Sequence, residues 1–472
     1  MEAIHSNRLY VVTMAGLAIP RSETRSSVRS DVARRRTAAA LIGIVVVGNA
    51  VAITWLWVHG GNLTIHSTGD LFTSIGRLTG LWSAYLALIQ VILLARIPAL
   101  ERVVGFDRLT RWHRWNGHVC IDLVIAHVVF TVWGYALLDK FTLGKEIRTM
   151  LGGGIYPGMI TATIGTALLL AVVATSLVIV RRRLSYEWWY AVHLMAYAGI
   201  ALSWFHEIPT GNELVLDRIA ADYWRGLFIV TLAVIVGFRI LAPAYAAFRY
   251  RLRVSQVTEE APGVVSLTIT GRHLDRLGAR AGQFFLWRFL DRHRWWSAHP
   301  FSLSAAPDGR SLRITVKALG DHSARLADVK PGTRVVAEGP LGVFTDDLRR
   351  RDKAVLIAGG IGITPIRALL ERMHGDTVVL YRVISDTEVI FRDELERLVT
   401  DGRATVHFVV GDHRGDGRDL LSPSHLLELV PDIAERDVFL CGPPAMIDAI
   451  HKNLRRAHVP RRHVHTERFA LT

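Results

Sequence analysis

Hydrophobic residues are distributed unevenly along this chain, and their distribution divides it into two halves. Long apolar runs are confined to residues 38–247, whereas residues 248–472 alternate between short apolar and polar stretches. A helix needs about 20 apolar residues to cross a bilayer. Six runs approach that length, at roughly 38–58, 78–98, 115–137, 159–180, 187–206 and 224–246. The pattern therefore predicts a six-helix transmembrane bundle over 38–247, preceded by a polar tail over 1–37.

The second half of the chain contains two successive patterns. Over 248–348, short alternating stretches such as YRLRVSQVT and SLRITVKAL are separated by turn signals, which is typical of a small antiparallel β-barrel. Over 349–472, strand-like and helix-like stretches alternate, which indicates an α/β domain with a parallel sheet. We therefore expect a multidomain membrane protein with a helical bundle, a barrel and an α/β domain in that order.

Charge adds an orientation to this picture. The formal net charge is +14, but the basic residues flank the apolar runs without a nucleic-acid-binding motif, so we expect no nucleic-acid partner. Eighteen arginines lie in the tail and in the connections on its side, against five basic residues on the other side. Because Lys and Arg are enriched in cytoplasmic segments, we expect a multi-pass protein of the cell membrane with both termini in the cytoplasm, and a mobile cytoplasmic tail.

Two of the predicted spans contain histidines, which are costly inside a bilayer and therefore indicate a function. His113, His118 and His127 lie in the third span, and His193 and His206 lie in the fifth. Helical geometry places His113 and His127 within about 40° of one face and turns His118 elsewhere. The 13-residue separation in the fifth span misses alignment by about 140°, so that pair needs a helix distortion, different rotamers or a frayed helix end.

Haem iron accepts axial imidazole, so two such helices can supply two bis-histidine sites stacked across the membrane. The alternative is that these are core or interfacial histidines bonded to the backbone. The pattern resembles the ferric reductase and NADPH oxidase superfamily, over nearly the whole chain beyond residue 37. That resemblance implies that His113 and His193 bind an inner haem b, and that His127 and His206 bind an outer one.

A flavin motif is the second element of the resemblance. The stretch HPFSLSAAP combines an aromatic ring, a basic group and hydroxyls on one strand, and it is similar to the flavin motif of the ferredoxin-reductase family. By this resemblance Phe301 flanks the isoalloxazine of FAD, and Ser302 reaches the nitrogen that exchanges hydride. The stretch VKALGDHSARL resembles a phosphate-contacting turn at a helix start. The FAD-contacting residues implied are His299, Pro300, Phe301, Ser302, Gly320 and Ser323.

Two glycine-containing motifs in the last domain point to a pyridine nucleotide. The stretch AVLIAGGIGITPIRALL places glycines between a strand and a helix, where a pyrophosphate can approach the backbone. The later stretch DVFLCGPPAM is similar to the nicotinamide-side motif of the same family. The NAD(P)H-binding residues implied are Gly359, Gly360, Gly362, Thr364, Pro365, Ser385, Gly442 and Pro443. The resemblance gives catalytic positions to Cys441 and to Phe469, the near-terminal aromatic that would cover the flavin.

Cofactor choice and the electron acceptor stay open in the sequence. Ser385 stands where animal oxidases carry Arg, but Arg382 is three residues earlier, which favours NADPH over NADH. We expect electrons to pass from NAD(P)H through FAD and two haems to O₂, giving superoxide. The alternatives are reduction of ferric or cupric chelates, electron relay to a partner protein, or a flavin reductase tethered by a haem-free bundle. The outer connections contain no dense carboxylate or histidine cluster for metal capture, which favours O₂.

Overall fold

The computed structural model describes residues 10–12, 24–152, 156–177, 180, 183–184, 186–412 and 419–468. The chain divides into two compact units, one over Val32–Leu241 and one that combines Ala242–Thr472 with Met1–Asp31. Within the described residues the first unit is helical, and the second contains the two strand-rich domains. The division agrees with the change in hydrophobic pattern along the sequence.

The helices of the first unit form the following series. They are α1 (Thr24–Trp57), α2 (Thr68–Leu93), α3 (Pro98–Val104), α4 (Phe106–Leu138), α5 (Leu143–Gly152), α6 (Met159–Ser176), α7 (Tyr186–Thr210), α8 (Asn212–Leu216) and α9 (Arg218–Ile235). Short π-helical segments, Val58–Asn62 and Val236–Leu241, follow α1 and α9, and α10 (Ala242–Tyr250) leads into the second unit.

Within the part of the chain that the structure describes, five helical segments are long and apolar enough to cross a membrane, and they coincide with five of the six predicted spans. They are Thr37–Asn62, Thr68–Leu93, Arg108–Leu138, Met159–Ser176 and Arg218–Tyr250. The predicted span 187–206 falls on α7, which has 25 residues but contains Trp, Tyr and His side chains that make it less apolar. A second difference concerns the tail, since α1 begins at Thr24, well before the predicted span.

Glycines allow the helices of this unit to pack closely in pairs. A Cβ on Gly76 of α2 would lie 2.5 Å from Thr131 Oγ1 of α4, and one on Gly165 of α6 would lie 2.8 Å from the carbonyl oxygen of Gly199 on α7. Small residues at such crossings let two backbones approach one another. The two histidine-bearing helices, α4 and α7, are therefore each fixed against a neighbour by close backbone contact.

The first strand-rich domain consists of two antiparallel sheets. Its strands are β2 (Arg253–Ala261), β3 (Val264–Thr270), β4 (Phe284–Phe289), β5 (His299–Ser302), β6 (Ser311–Lys317) and β7 (Val335–Leu341). The sheet orders are β2-β3-β6 and β5-β4-β7, joined by single bridges at Arg253–Arg334 and Leu303–Ile314. The antiparallel prediction is confirmed, but the strands form two sheets instead of one continuously hydrogen-bonded barrel. Alternate side chains of β4 fill the core between them, with Phe285, Trp287 and Phe289 fully buried.

The second strand-rich domain is built on a six-stranded sheet, as the α/β pattern predicts. Its strands are β8 (Ala354–Gly359), β9 (Thr377–Val383), β10 (Thr405–Val410), β11 (Asp437–Gly442) and β12 (Val464–Arg468), with β1 (Tyr10–Val12) at one edge. Its helices are α12 (Ile363–Leu370), α13 (Arg392–Thr400), α14 (Pro423–Leu429) and α15 (Pro444–Arg456). The label α11 belongs to a four-residue helix of the preceding domain, Asp321–Ala324.

The strand order β1-β10-β9-β8-β11-β12 determines where a ligand can bind. All neighbours are parallel except β1, which runs antiparallel to β10 and shows that the tail supplies an edge strand. The chain proceeds from β8 to one side and returns through β11 on the other, so the order reverses between these two strands. Open α/β sheets bind ligands at the carboxyl ends of strands at such a switch point. Both glycine motifs end there.

Candidate functional site

The structure brings His113 of α4 and His193 of α7 together inside the helical unit. Their ring centroids are 6.0 Å apart and the ring planes are inclined by 51°. A metal–imidazole bond is about 2 Å long, so imidazoles on opposite sides of one ion have ring centres about 6 Å apart. The spacing therefore fits two rings that share one metal ion, and it agrees with the pairing predicted for the inner site.

His127 and His206 are the second predicted pair. The ring of His206 lies close enough to His127 for the two rings to influence one another electrostatically, and it lies near the backbone of Pro157. Helix α7 continues to Thr210, so His206 does not lie at a frayed helix end. Pro209 lies inside this last turn and cannot donate the usual backbone hydrogen bond to the carbonyl of Phe205, which loosens the helix where His206 must turn. His118 is exposed, as its helical position predicts.

All four histidines have the same ring nitrogen engaged. The Nδ1 partners are Gln90 O for His113 at 3.0 Å, Gly76 O for His127 at 2.7 Å, Ser176 Oγ for His193 at 3.4 Å and Thr210 Oγ1 for His206 at 2.9 Å. A carbonyl oxygen only accepts, so His113 and His127 carry their proton on Nδ1 and present the Nε2 lone pair. Metal-binding histidines are oriented in this way. The residues therefore fit an iron cofactor.

A glycine contact that the sequence analysis missed shapes the second pair. A Cβ on Gly80 of α2 would lie 2.6 Å from Nδ1 of His127, so only glycine leaves room for this ring between α2 and α4. The signal in the sequence is the four-residue spacing of Gly76 and Gly80 at the start of the predicted span 78–98, which is typical of helix contacts in membranes. The hydrogen-bond partners of the histidines had no comparable signal.

The predicted flavin strand is β5, which lies beside β4. His299 pairs with Trp287, Pro300 with Leu286, Phe301 with Phe285, and Ser302 with Phe284. The indole of Trp287 donates to the carbonyl of Phe301 at 2.9 Å. The rings of His299 and Phe301 are nearly parallel, 6.4 Å apart, so they project from the same face of the strand. A flat ring system can bind along such a face, with Ser302 at its inner end.

The predicted phosphate-contacting turn precedes and includes α11. Ser323 Oγ accepts hydrogen bonds from the backbone N–H groups of Leu319 and Gly320, at 2.9 and 3.0 Å, and donates to the carbonyl oxygen of Gly320. A Cβ on Gly320 would meet no atom within 4 Å, so this backbone is open to a ligand. In this conformation Ser323 shapes the turn with its hydroxyl.

The two nucleotide motifs meet at the switch point between β8 and β11. A Cβ on Gly362 would lie 2.4 Å from the carbonyl oxygen of Cys441, and one on Gly442 would lie 2.7 Å from Met446 Cε. Gly359 is equally restricted by Met446, whereas Gly360 faces open space at a φ of +52°. Backbone contact between the two turns therefore requires glycine at position 362, whereas the flexible end of Met446 is what limits positions 359 and 442. Gly360 leaves its backbone exposed to an anion.

The neighbouring predicted residues have structural contacts of their own. Thr364 is buried and donates to the carbonyl of Ile361 at 3.0 Å, and Pro365 and Pro443 frame the two turns. Burial raises the pKa of the Cys441 thiol well above its ordinary value, so the thiol is protonated at neutral pH. A neutral, fully buried thiol places Cys441 behind the turn, as a packing residue. Phe469 lies outside the described residues.

Ser385 follows β9 at the same edge of the sheet. Its hydroxyl lies 2.8 Å from that of Thr387, and the adjacent Asp386 is paired with Arg392 at 2.5 Å. Arg382 donates to the backbone carbonyl of Val383. The edge therefore offers hydroxyl groups, a cation and a carboxylate near the position expected for a ribose.

Comparisons with known proteins agree with this division of the chain. Residues 79–204 match the family described as ferric reductase like transmembrane component, and residues 356–452 match the oxidoreductase NAD-binding domain. The chain is 30% identical over 188 residues to ferredoxin–NADP reductase B of Sorangium cellulosum, which covers 36% of this chain and 77% of that protein.

Two further relatives align with a similar part of the chain. NADH oxidoreductase HCR of Escherichia coli is 29% identical over 225 residues, covering 45% of this chain and 66% of that protein. NADPH oxidoreductase of Mycobacterium tuberculosis is 30% identical over 241 residues, covering 49% and 62%. The chain thus spans just under two thirds of the length of these two relatives.

Proposed function

The chain belongs to the ferredoxin–NADP reductase family through its second unit and carries a ferric-reductase-like transmembrane component, and from this premise we propose that it moves electrons from NAD(P)H through FAD and two haems to an acceptor across the membrane. It is an oxidoreductase, because both matched families perform electron transfer. The proposal adds the cofactors, the direction and the acceptor.

The observation that supports the haem pathway most directly is the His113–His193 pair. Its 6.0 Å separation equals the separation expected for two axial ligands of one iron, and Nδ1 of His113 is already bonded to the carbonyl of Gln90. We propose the same role for His127 and His206 at the outer site. Core histidines that only satisfied the backbone would not need to face one another across two helices.

The residues of the second unit bind and orient the other cofactors. FAD, when bound, accepts a hydride and releases its two electrons one at a time to haem. Phe301 and His299 offer parallel rings to the flavin, and Ser302 offers a hydroxyl at its reacting edge. Gly359, Gly360 and Gly362 bring the pyrophosphate of NAD(P)H against the backbone at the switch point. Phe469 is the proposed cover over the flavin.

We propose that α7 is the sixth span. Six crossings place the tail and the second unit on the same side, which the arginine-rich connections identify as the cytoplasm. The less apolar character of α7 is the expected consequence of carrying two metal-binding histidines. Electrons then move from the cytoplasm outward.

For the nucleotide we keep NADPH as the proposed donor, with Ser385 near its extra phosphate. Arg392 could approach the same phosphate, because it lies beside Ser385 and its partner Asp386 is exposed. NADH is the competing donor, and Asp386 is the residue that favours it, since a carboxylate after this strand can accept a hydrogen bond from a free ribose hydroxyl.

We propose O₂ as the acceptor, with superoxide as the product. If each histidine pair held one haem iron, the histidines would leave the acceptor no position on the iron, and the haem would supply the electron without binding O₂. Reduction of a ferric or cupric chelate is the second candidate, which the match to a ferric-reductase-like component favours. Relay to a partner protein is expected if neither acceptor sustains turnover.

The deciding experiment is the dithionite-reduced optical spectrum of the purified protein. We expect a Soret band and two haems per chain, falling to about one in His127→Ala. A protein without a Soret band, or a His127→Ala variant with unchanged haem content, would overturn the haem assignment and leave a flavin reductase tethered by the bundle. Superoxide-dismutase-sensitive and ferric-chelate-dependent NAD(P)H oxidation then separate the acceptors.

A further inference from the structure

A partly buried cluster of charged residues joins the flavin-binding domain to the nucleotide-binding domain. Arg313 lies in β6 of the first domain. The second domain contributes Arg367 of α12, Glu371 just after α12, and Glu394 of α13. Glu394 accepts two hydrogen bonds from Arg313, at 2.8 and 3.0 Å, and lies 2.6 Å from Nε of Arg367. One carboxylate thus bridges guanidinium groups from both domains. We call these four residues, with Ser304, the interdomain cluster.

The cluster also holds the chain segment that follows the flavin strand. The carbonyl oxygen of Ser304 accepts hydrogen bonds from Arg313 and Arg367, both at 3.0 Å, and the Ser304 hydroxyl accepts from Nε of Arg313 at 3.2 Å. Glu371 accepts from the backbone N–H of Ala306 at 2.5 Å and pairs with Arg367 at 2.8 Å. Segment 304–306 is therefore bonded at two points to α12 and the residue that follows it, through Arg367 and Glu371.

The hydrogen bonds of the cluster link residues that lie close in sequence to the two proposed ligand sites. Ser304 lies two residues beyond Ser302, which we place at the reacting edge of the flavin. Arg367 lies about one helical turn beyond Gly362, which we place at the pyrophosphate. The cluster thus connects the end of one proposed site to the end of the other by a few rigid residues.

The carboxylate of Glu394 is paired with two positively charged arginines, one from each domain. Burial alone would raise the pKa of Glu394, but the hydrogen bonds and charges of Arg313 and Arg367 lower it below its ordinary value, so the carboxylate is ionised. The guanidinium carbons of Arg313 and Arg367 lie 4.7 and 6.0 Å from the ring centroid of Phe391. A buried carboxylate with planar, forked partners fixes both distance and orientation.

We propose that the interdomain cluster is a positioning device that sets the distance and angle between nicotinamide and flavin, and with them the rate of hydride transfer. This inference rests on the proposed function. Its residues touch neither reacting atom, so they act through Ser304 and α12. A misplacement of about 1 Å in such a geometry can cost about a hundredfold in rate.

The chain offers a matched control for testing this. Asp432 is also a carboxylate shared by two cations, Lys353 at 2.7 Å and Arg436 at 2.6 Å, but all three residues lie in the nucleotide-binding domain, next to the amino ends of β8 and β11. Glu394→Gln and Asp432→Asn remove one charge each from similar clusters. Only the cluster around Glu394 joins two domains.

The experiment uses the full chain in lipid nanodiscs, loaded with FAD, and measures flavin reduction by NADH and by NADPH in a stopped-flow instrument. We expect Glu394→Gln to lower the saturating reduction rate at least about tenfold, with a change of less than about threefold in the apparent nucleotide affinity. Asp432→Asn should leave the rate unchanged. Arg313→Lys keeps the charge but loses the fork, and it should give an intermediate rate.

Hydrogen exchange on the flavin-free protein provides a second readout. We expect peptides containing residues 302–306 and 364–371 to exchange faster together in Glu394→Gln and unchanged in Asp432→Asn. The proposal is overturned if Glu394→Gln matches Asp432→Asn in both rate and exchange, because the cluster would then be structural only. If Glu394→Gln does not fold, Arg313→Lys decides by the same criteria. A wild-type flavin that neither nucleotide reduces would instead overturn the proposed function, while the exchange result would still test the coupling.

Discussion

Gly80 shows how a single residue determines whether a histidine can reach a cofactor. His127 occupies the space next to this glycine and bonds through Nδ1 to the carbonyl of Gly76. Neither glycine is a ligand, yet both decide the direction in which Nε2 points. The orientation of the histidine rings thus depends as much on the glycines, which leave space for a ring, as on the histidines themselves.

We predict that Gly80→Ala removes the outer haem. The added methyl group would overlap the His127 ring at 2.6 Å, which forces the imidazole out of position. Haem content measured as the pyridine haemochrome should fall by about half, as in His127→Ala. Gly48→Ala of α1 is the control, because a Cβ there meets nothing within 4 Å. Equal haem in Gly80→Ala and wild type would contradict this role.

A second residue-scale prediction concerns Asp437, a fully buried carboxylate at the start of β11. Burial opposes its ionisation, but hydrogen bonds from His465, from the backbone N–H groups of Arg350 and Arg351 and from His463 outweigh that effect and lower its pKa to about 2. A lowered pKa stabilises the fold above the unfolded value near 4, and this contribution of roughly 2 kcal/mol is lost as the pH falls towards 2.

Unfolding temperatures measured between pH 5 and pH 3 test this prediction. The wild-type protein should lose more stability over this range than Asp437→Asn, which cannot titrate. Asp448→Asn removes an exposed carboxylate of the same domain and should behave as wild type. An acid sensitivity that is identical in all three proteins would show that Asp437 does not contribute.

Among the elements, the turn between β8 and α12 is tightly restricted. It must pass within van der Waals contact of the end of β11, and the carbonyl of Cys441 occupies the space that any side chain at position 362 would need. The sequence motif around Cys441 suggested a catalytic thiol, but the fold places this residue where its backbone supports the neighbouring turn.

We therefore predict that Gly362→Ala abolishes nucleotide binding while the rest of the protein stays functional. The methyl group would meet Cys441 O at 2.4 Å and must separate β8 from β11. NAD(P)H-dependent flavin reduction should fall at least about a hundredfold. FAD content and the dithionite-reduced haem spectrum should not change. Loss of FAD together with nucleotide binding would mean that the turn supports the whole unit.

For the whole molecule, the number of crossings decides whether the tail and the second unit lie on the same side of the membrane. Five segments satisfy both length and hydropathy, and α7 satisfies length alone. Six crossings put the tail and the second unit on one side, whereas five would separate them. We propose the first arrangement, in which the tail that pairs with β10 stays on the side of the second unit.

Labelling with a membrane-impermeant maleimide tests the arrangement. In inside-out vesicles we expect cysteines introduced at Ser27 of the tail and Lys330 of the second unit to react, and one at His66 in the first outer connection to be protected. Right-side-out vesicles should reverse this pattern. Opposite behaviour of positions 27 and 330 would show that α7 does not cross. Native Cys120 and Cys441 are buried and should give little background.

The sequence by itself determined the order of the domains, most of the spans and the parallel and antiparallel character of the sheets. These features follow from local hydrophobic periodicity, which each segment carries within its own residues. The same periodicity correctly excluded His118 from the histidine pairs. It could not show that the barrel strands divide into two sheets, nor that the tail adds a strand to β10.

Only the tertiary structure decided which groups face one another. The His113–His193 separation, the anchors on Nδ1, the space left by Gly80 and the shared carboxylate of Glu394 all join residues that are far apart in sequence. Such contacts depend on how helices and sheets pack, and packing has no fixed period along the chain. The histidine and glycine motifs predicted a chemistry from residue types alone, whereas the arrangement of these residues came from the fold.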